Sequence, residues 1–304
     1  MLIPLKVFKA LGDETRLRLF YLLSLYKLNV NEIVEVLEMG QSRVSRHLRV
    51  LSECGLLLCK RDGSFAYYYA EQNEDSKLLV EFLSRFLKQK NSYLQDLQRS
   101  EAIVAERKKR TRRFFNQVAE SWDRIKRDLF GDLDLSAILE ENFRQVHIAV
   151  DLGCGTGDLL QRLGRYADLT IGVDASQKML NQAKLKVKGT SGEFDFRLGE
   201  LEHLPLKDAE ADLAVVNMVL HHIAVPALAI EETYRVLKPD GQLLLADLDK
   251  HESEEVKKRF GGSWMGFAKE EVIKWLEDTG FSVQGTADYA VRFGLKLNIF
   301  KAVK

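Results

Sequence analysis

Residues 148–158 read Ile-Ala-Val-Asp-Leu-Gly-Cys-Gly-Thr-Gly-Asp. A short apolar run, 148–150, leads into Asp151 and then into the glycine loop 153–157, after which helix-compatible residues follow. This order predicts a strand, a tight loop and a helix. Glycines in such a loop adopt positive φ and let backbone amides approach a ligand without a Cβ in the way. Because plain βα turns also collect glycine, the neighbouring sequence has to distinguish a ligand site from a turn.

A second apolar run supports a ligand site. Residues 169–173 are apolar or small and end in Asp174, 23 residues after Asp151. An acid at the tip of the second strand is placed to accept hydrogen bonds from ribose hydroxyls. The dinucleotide fingerprint is G-x-G-x-x-G, whereas this loop reads G-x-G-x-G with an acid just before it. An NAD site or a purely structural turn is the alternative interpretation.

The glycine loop and the two acids resemble those of the class I S-adenosylmethionine (SAM)-dependent methyltransferases, whose ligand has no pyrophosphate. The resemblance implies SAM or its product S-adenosylhomocysteine (SAH) as cofactor. After the third strand, Glu200 would accept from the adenine amino group and Leu201 would pack on the ring, although the family more often has Asp at that position. The cofactor-binding residues that the resemblance implies are Asp151, Gly153, Gly155, Gly157, Asp174, Ala175, Met179, Glu200, Leu201 and Asn217.

The rest of the C-terminal half continues to alternate apolar runs with helical segments. Strands are expected at 194–198, 212–217, 242–248, 281–283 and 296–303, and helices at 177–188, 227–237 and 269–279. Continuous apolar strands between helices indicate a mainly parallel sheet that is covered on both faces. Together with the resemblance, this predicts an α/β Rossmann-like methyltransferase fold with a mostly parallel seven-stranded sheet.

Length and composition set the class of protein. A chain of 304 residues is long enough for two domains, each with its own core. It has no run of 18 apolar residues, and residues 1–6 lack a signal-peptide pattern, so we expect a cytoplasmic protein without a membrane partner. Three cysteines, Cys54, Cys59 and Cys154, do not make a disulfide framework.

The charge is distributed unevenly although the net charge is zero. Residues 1–115 hold 21 Lys and Arg against 14 Asp and Glu, a net charge of +7, and residues 116–304 hold 24 against 31, a net charge of −7. This asymmetry indicates a basic half that meets a polyanion and an acidic half with another task.

The basic half shows a helix-turn-helix pattern. Thr15 or Asp13 can cap a helix over 16–25, Asn29 or Asn31 can start the next helix, and Met39-Gly40 ends it. The third helix, 41–51, has one apolar face and one basic, hydroxylated face. Two β-like runs, 56–61 and 65–70, follow and are joined by Asp62-Gly63-Ser64, a hairpin signal. A recognition helix followed by a basic hairpin indicates a winged DNA reader, although a solvated basic face on a helical core is the plainer interpretation.

The same half resembles the ArsR (arsenical-resistance repressor) family of winged-helix repressors over nearly all of residues 4–97. The matching stretches are Leu11 to Leu19, Gln41 to Leu48 and Tyr67-Tyr68-Tyr69. The resemblance implies double-stranded operator DNA as partner and a two-fold dimer. Arg can bind guanine, Gln can bind adenine and Ser can hold phosphate. The expected DNA-binding residues are Gln41, Ser42, Arg43, Ser45, Arg46, Arg49, Lys60 and Arg61.

One departure from that family concerns metal. Metal-sensing members carry Cys-x-Cys before the recognition helix, whereas this chain has Asn29-Val30-Asn31-Glu32 there. Cys54 and Cys59 alone would need further ligands for a thiolate site. We therefore expect no metal and an effector of another kind.

Residues 76–113 contain no Pro or Gly and predict one long helix. Its approximate a/d seam favours a dimer over a single core helix. The basic run 107–113 either touches DNA phosphates or is a solvated linker. The stretch 114–123 resembles the helix that lies over the SAM pocket of small methyltransferases, or else it is a hydrophobic staple onto the sheet.

Three histidines are weak catalytic candidates. His221 and His222 follow the fourth strand, and either a base or a pocket-shaping role suits them. His251 lies after the fifth strand, where it lines a substrate-facing lid or is an ordinary surface residue. No Ser/His/Asp arrangement or phosphate loop accompanies them.

The expected organisation is a mainly α winged helix-turn-helix and dimerisation domain at 1–98, a helical linker and cap at 99–130, and a methyltransferase-like domain at 131–304. The favoured function is a dimeric regulator whose SAM/SAH-binding domain senses its ligand. An active small-molecule methyltransferase that also regulates transcription is the alternative. A nucleic-acid methyltransferase fits less well, because residues 217–220 read Asn-Met-Val-Leu rather than Asn/Asp-Pro-Pro-aromatic.

Overall fold

The computed structural model describes residues 5–62, 65–71, 73–87 and 90–304. The chain divides into two units, Met1–Arg107 and Lys108–Lys304, and each has its own apolar core. In the described part of the chain, no helix combines the length and the apolar character that crossing a membrane requires.

The first unit is mainly helical and carries one small antiparallel sheet in the order β1-β3-β2. Its strands are β1 Leu28–Asn29, β2 Leu57–Asp62 and β3 Phe65–Ala70. Its helices are α1 Leu5–Leu11, α2 Glu14–Leu25, α3 Val30–Leu37, α4 Gln41–Glu53, α5 Glu74–Leu87 and the first part of α6 Asn91–Val118. The predicted hairpin is therefore present as β2 and β3, while Gly63 and Ser64 of its turn lie outside the described residues.

Side-chain caps fix where the first helices begin. Asp13 caps α2, since its Oδ1 accepts from the backbone N of Arg16 at 3.0 Å. Asn29 and Glu32 form a reciprocal capping box at the start of α3. This helix ends at Leu37, and Glu38 follows it in the left-handed conformation (φ 52°). The prediction that Met39-Gly40 ends the helix was therefore wrong, because Glu38 ends it instead.

The predicted continuous helix over 76–113 is wrong, because α5 ends at Leu87 and α6 begins at Asn91. Leu83 and Leu87 at the end of α5 and Tyr93 at the start of α6 are all buried in the same core. Lys90, the described residue between the two helices, belongs to neither of them.

The second unit is built on a seven-stranded sheet in the order β6-β5-β4-β7-β8-β10-β9. Its strands are β4 Val146–Leu152, β5 Ala167–Asp174, β6 Glu193–Leu198, β7 Ala211–Asn217, β8 Leu237–Leu248, β9 Ser282–Ala290 and β10 Lys296–Val303. The first five pair in parallel, and β10 is antiparallel to both β8 and β9. This confirms the predicted Rossmann-like class and the mostly parallel sheet.

The helices of the second unit are α7 Trp122–Phe130, α8 Leu135–Glu140, α9 Leu160–Leu163, α10 Gln177–Val187, α11 Pro226–Val236, α12 Glu254–Phe260 and α13 Lys269–Thr279, with 3-10 turns at Leu220–His222 and Arg292–Gly294. Several boundaries differ from the prediction, and β9 is the longest extension, running to Ala290 rather than ending at 283. The helix after the glycine loop has only four residues, and β8 begins directly after α11 rather than at 242. Because β4, β5 and β7 are parallel neighbours, their carboxyl ends meet in one crevice.

Candidate functional site

The glycine loop leaves β4 in the conformation that the sequence predicts. Gly153, Gly155 and Gly157 have φ of 78°, 51° and 83°, values that other residues rarely adopt. A Cβ on Gly153 would lie 2.5 Å from Cγ2 of Val219, so only glycine fits there. Gly155 is more open, with Trp122 as its nearest side chain at 3.8 Å. The loop can thus approach a ligand closely at its centre.

Asp174, at the end of β5, is held by this loop. Its Oδ2 accepts from the backbone N of Gly155 at 2.9 Å, and its Oδ1 accepts from the backbone N of Ser176 at 2.8 Å. Burial raises the pKa of Asp174 to about 6, although these two backbone hydrogen bonds oppose the shift. Each oxygen retains a lone pair, which suits two vicinal hydroxyl donors.

Asp151 is a second buried acid beside the loop. Burial, and then the charge of Asp174, raise its pKa to about 7. Its folded-state pKa therefore exceeds the ordinary value of an unfolded Asp. The protonated form of Asp151 therefore favours the folded state. Its contribution to the free energy of unfolding is present in full below about pH 4 and is lost as the pH rises through about 7.

We expect Asp151→Asn to raise the free energy of unfolding at pH 8 by about 2–4 kcal/mol, since it removes a charge that burial disfavours. Urea unfolding at pH 5 and pH 8 measures this. The matched control is Asp168→Asn, because the Asp168 side chain is 78% exposed. A variant no more stable than wild type at pH 8 would contradict the electrostatic assignment.

A cavity of about 150 Å³ lies over these strand ends. It brings together nine of the ten predicted cofactor residues, namely Asp151, Gly153, Gly155, Asp174, Ala175, Met179, Glu200, Leu201 and Asn217. The tenth, Gly157, packs elsewhere: a Cβ there would lie 2.9 Å from the Cβ of Ala183, so this glycine serves close contact with α10. The role of the nine as ligand contacts stays a prediction.

Asn217 contributes an unusual polar atom to the cavity. Its Oδ1 is buried, and no group in the described residues hydrogen-bonds it. A buried acceptor without a donor is destabilising by about 1–3 kcal/mol, which a ligand with an amino or hydroxyl group would recover. The acceptors of the cavity therefore fit a nucleoside with an amino-acid side arm such as SAM or SAH.

Sequence reasoning missed the cations of this cavity. Lys108, Arg112 and Lys126 line it, and Lys126 pairs with Asp123 and Asp158. The first two belong to the basic run 107–113, for which the sequence allows either a solvated linker or a DNA contact. A helical projection placing residues 108 and 112 on the face of Phe115 would have indicated their direction.

The predicted cap is present at the cavity. Phe115 and Trp122 line it, and their rings meet edge to face at 5.1 Å between centroids. Ala119, Trp122 and Met179 are buried together. The stretch 114–123 thus borders the cavity and packs against α10, while its role over a SAM pocket stays a prediction.

The three histidines separate in the structure. His221 and His222 line the cavity, whereas His251 lies in the loop after β8, where its Nδ1 accepts from the backbone N of Ser253 at 3.2 Å. Nδ1 of His221 is 2.6 Å from Oδ1 of the buried Asp247. Burial, reinforced by His221, lowers the pKa of His222 well below its ordinary value, so His222 is neutral at physiological pH.

In the first unit, α4 buries Val44, Leu48 and Leu51 and turns its polar face outward. Six of the predicted DNA-binding residues are exposed on that face, namely Gln41, Ser42, Arg43, Ser45, Arg46 and Arg49. The other two lie on β2, where Lys60 is half-buried and Arg61 is exposed. All eight are thus on the recognition helix or on the wing. Cys54 and Cys59 are free thiols.

Comparison with known proteins follows this division. The arsR-family model of bacterial regulatory proteins matches residues 13–57, and a methyltransferase-domain model matches residues 150–245. A demethylmenaquinone methyltransferase of Lactobacillus johnsonii is 37% identical over 31% of this chain and 41% of its own length. The ubiquinone/menaquinone biosynthesis C-methyltransferase UbiE of Hydrogenovibrio crunogenus is 30% identical over 50% of this chain and 63% of its own. The chain thus spans less than two thirds of these relatives.

Among solved structures, the [4+2]-cyclase SpnF aligns with a TM-score of 0.54 at 20% identity, covering 64% of this chain and 94% of that one. This likeness concerns the fold alone. SAM and SAH are the cofactors of the matched methyltransferase class. The chain carries an arsR-family helix-turn-helix domain at residues 13–57 and a SAM-dependent methyltransferase domain at residues 150–245.

Proposed function

We propose that this protein is a dimeric DNA-binding transcriptional regulator whose methyltransferase domain binds SAM or SAH as its effector. The observation that carries the proposal is the cavity, in which buried acids and the unpartnered Oδ1 of Asn217 await ligand donors. The helix-turn-helix on the same chain gives ligand binding something to regulate.

Each part of the ligand has a matching group in the cavity. The carboxylate of Asp174 accepts from the ribose hydroxyls, and Glu200 accepts from the adenine amino group while Leu201 packs on the ring. Asn217 and the loop of Gly153 and Gly155 hold the amino-acid end. Leu201 is 3% exposed, so its side chain is already held in place by neighbouring residues.

Isothermal titration calorimetry with SAM, SAH and ATP tests the ligand proposal. We expect saturable binding of SAM or SAH at one site per chain. ATP should bind far more weakly, because the acids that line the cavity outnumber its three cations and repel a triphosphate. The acids are Asp151, Asp158, Asp174, Glu200 and Glu202, and the cations are Lys108, Arg112 and Lys126. Heats indistinguishable from dilution for both SAM and SAH would reject the proposal.

DNA binding is assigned to α4, which would enter the major groove with the wing beside it. Arg43 and Arg46 carry the guanidinium forks for guanine, and the serines hold phosphates. The exposure of these side chains supports this assignment, because they do not pack in the core and are accessible to DNA.

The dimer is assigned to an apolar stripe on α5 made of Leu78, Phe82 and Phe86, which are 64%, 59% and 60% exposed. The spacing of four places them on one helix face, and the two phenyl centroids are 5.1 Å apart. Three exposed apolar side chains on one face of a helix are typical of a protein–protein interface.

We expect Phe82→Glu/Phe86→Glu to convert a wild-type dimer into a monomer, because a buried charge without a partner opposes association. Size-exclusion chromatography with light scattering at micromolar concentration measures this. Leu185→Glu, at an exposed apolar position of α10, is the control and should stay dimeric. A monomeric wild type, or a dimeric double variant, would contradict the assignment.

A second candidate function, methyl transfer to a small molecule, is favoured by the His221–Asp247 contact. Because a carboxylate oxygen only accepts, Asp247 favours the neutral tautomer of His221 that has its proton on Nδ1 and its lone pair on Nε2. SAM supplies an electrophilic methyl group when bound. Asp247 orients His221, whose Nε2 then takes the proton of an acceptor hydroxyl.

Labelled SAM incubated with cell extract tests this second function. Transfer of the label to a small molecule by wild type, and its loss in His221→Asn but not in the exposed control His147→Asn, would support it. No transfer to any acceptor would leave the domain a ligand sensor.

A further inference from the structure

Lys108, the first residue of the second unit, reaches into the predicted adenine subsite. Its Nζ donates to Oε2 of Glu200 at 2.8 Å and lies 3.3 Å from Oε1 of Glu202. The Lys108 side chain is 25% exposed and that of Glu202 is 3% exposed. This is a half-buried ion triad rather than a solvated surface pair.

The two acids depend on Lys108 to different degrees. In the described residues, no group hydrogen-bonds Oε1 of Glu202, so the Lys108 ammonium is the nearest compensating charge. Glu200 is 40% exposed and lines the cavity. Although burial alone would lower the pKa of Lys108, Glu200 and Glu202 raise it, so its ammonium stays charged at neutral pH.

The adenine amino group of a bound nucleoside would donate to the same carboxylate that Lys108 now holds. Resting on the proposed function, we propose that Lys108 is a displaceable occupant of the adenine subsite: ligand takes over Glu200, and Lys108 retains only Glu202. Lys108 thereby competes with a 6-amino purine for Glu200 and changes its contacts when ligand binds.

The position of Lys108 in the sequence gives this change a consequence. It directly follows Arg107 on α6, and within the first unit Arg107 donates through Nε to Oε1 of Glu32 at 2.8 Å. Glu32 is the acid of the capping box that starts α3, the helix before the recognition helix. Two consecutive residues of α6 thus hold one ion pair within each unit, and we expect a change of contacts at Lys108 to alter the Arg107 pair.

The experiment compares Lys108→Gln with Lys109→Gln, an exposed neighbour that loses the same charge. Calorimetry measures the affinities for SAH and for S-inosylhomocysteine, which has an oxo group in place of the 6-amino group. The ratio of the two affinities reports on the adenine subsite. We expect Lys108→Gln to bind SAH about fivefold or more tightly than wild type, because no ammonium has to be displaced. The preference for SAH over S-inosylhomocysteine should rise by the same factor, whereas Lys109→Gln should match wild type.

The DNA readout uses a duplex that the wild-type protein selects from a randomised library. Saturating SAH should change its affinity for wild type and Lys109→Gln, and by less than twofold for Lys108→Gln. Lys108→Gln that matches wild type in both SAH affinity and DNA response would overturn the proposal, and so would weaker SAH binding.

Glu200→Gln provides a second variant in case Lys108→Gln does not fold, as judged by circular dichroism. It should lose the discrimination between SAH and S-inosylhomocysteine, and retained discrimination would overturn the proposal. The two levels of failure are distinguishable. Wild type that binds neither ligand refutes the proposed function itself, whereas wild type that binds SAH with unchanged Lys108→Gln refutes only the role of Lys108.

Discussion

Asp174→Asn is expected to weaken SAH binding more than 100-fold. The carboxylate of Asp174 is half-buried at the end of β5, and hydrogen bonds to a charged acceptor contribute about 1.5–3 kcal/mol each. Two ribose hydroxyls would lose such an acceptor, and the loss of about 3 kcal/mol or more corresponds to that factor. Asn also presents an NH₂ group to the backbone N–H of Gly155 or Ser176, which adds a donor–donor conflict.

Calorimetry at pH 7.5 measures this loss, with Asp168→Asn as the control that should bind SAH like wild type. The same acid predicts a pH profile. Because the pKa of Asp174 without ligand is about 6, SAH affinity should be constant above pH 7 and should fall as the pH drops through 6. Asp174→Asn with wild-type affinity, or a flat profile between pH 5 and 8, would show that Asp174 does not hold the ribose.

Arg43→Ala/Arg46→Ala is expected to reduce operator affinity about 30-fold or more. Each guanidinium that reads a base contributes about 1–3 kcal/mol, and phosphate contacts add a salt-dependent part. Both side chains are exposed on α4, whose opposite face is buried, so their removal leaves the core intact. The thermal midpoint should therefore stay within about 1 °C of wild type, because surface substitutions rarely change stability.

Fluorescence anisotropy on the library-selected duplex, over a series of salt concentrations, measures this second effect. The control is Arg165→Ala, which removes a 65%-exposed arginine of the second unit. Weaker binding with a smaller salt slope would support α4 as the DNA reader. Unchanged affinity in the double variant would assign DNA binding to another surface.

The sequence predicted the elements whose signals are local. The glycine loop, the acid at the end of β5 and the alternation of strands with helices are all patterns within a few residues. Together with the residues that the methyltransferase resemblance implies, they place nine residues along one cavity, because parallel neighbouring strands end at the same edge.

The features that the sequence did not predict depend on contacts between distant residues. Helix α6 starts anew at Asn91, and no Pro or Gly between residues 76 and 113 marks this break in the sequence. The pairing of His221 with Asp247 follows from β7 and β8 being neighbours. The sequence shows Lys108 only as one residue of the basic run 107–113, since its partner Glu200 is 92 residues away.

The most direct test of a ligand-controlled regulator is the affinity of wild-type protein for its selected duplex with and without SAH. At an SAH concentration that calorimetry shows to be saturating, we predict a change of about 5–150-fold, which is the usual range of allosteric coupling. Asp174→Asn should show no change under the same conditions. An identical DNA-binding curve for wild type with and without bound SAH would contradict the account.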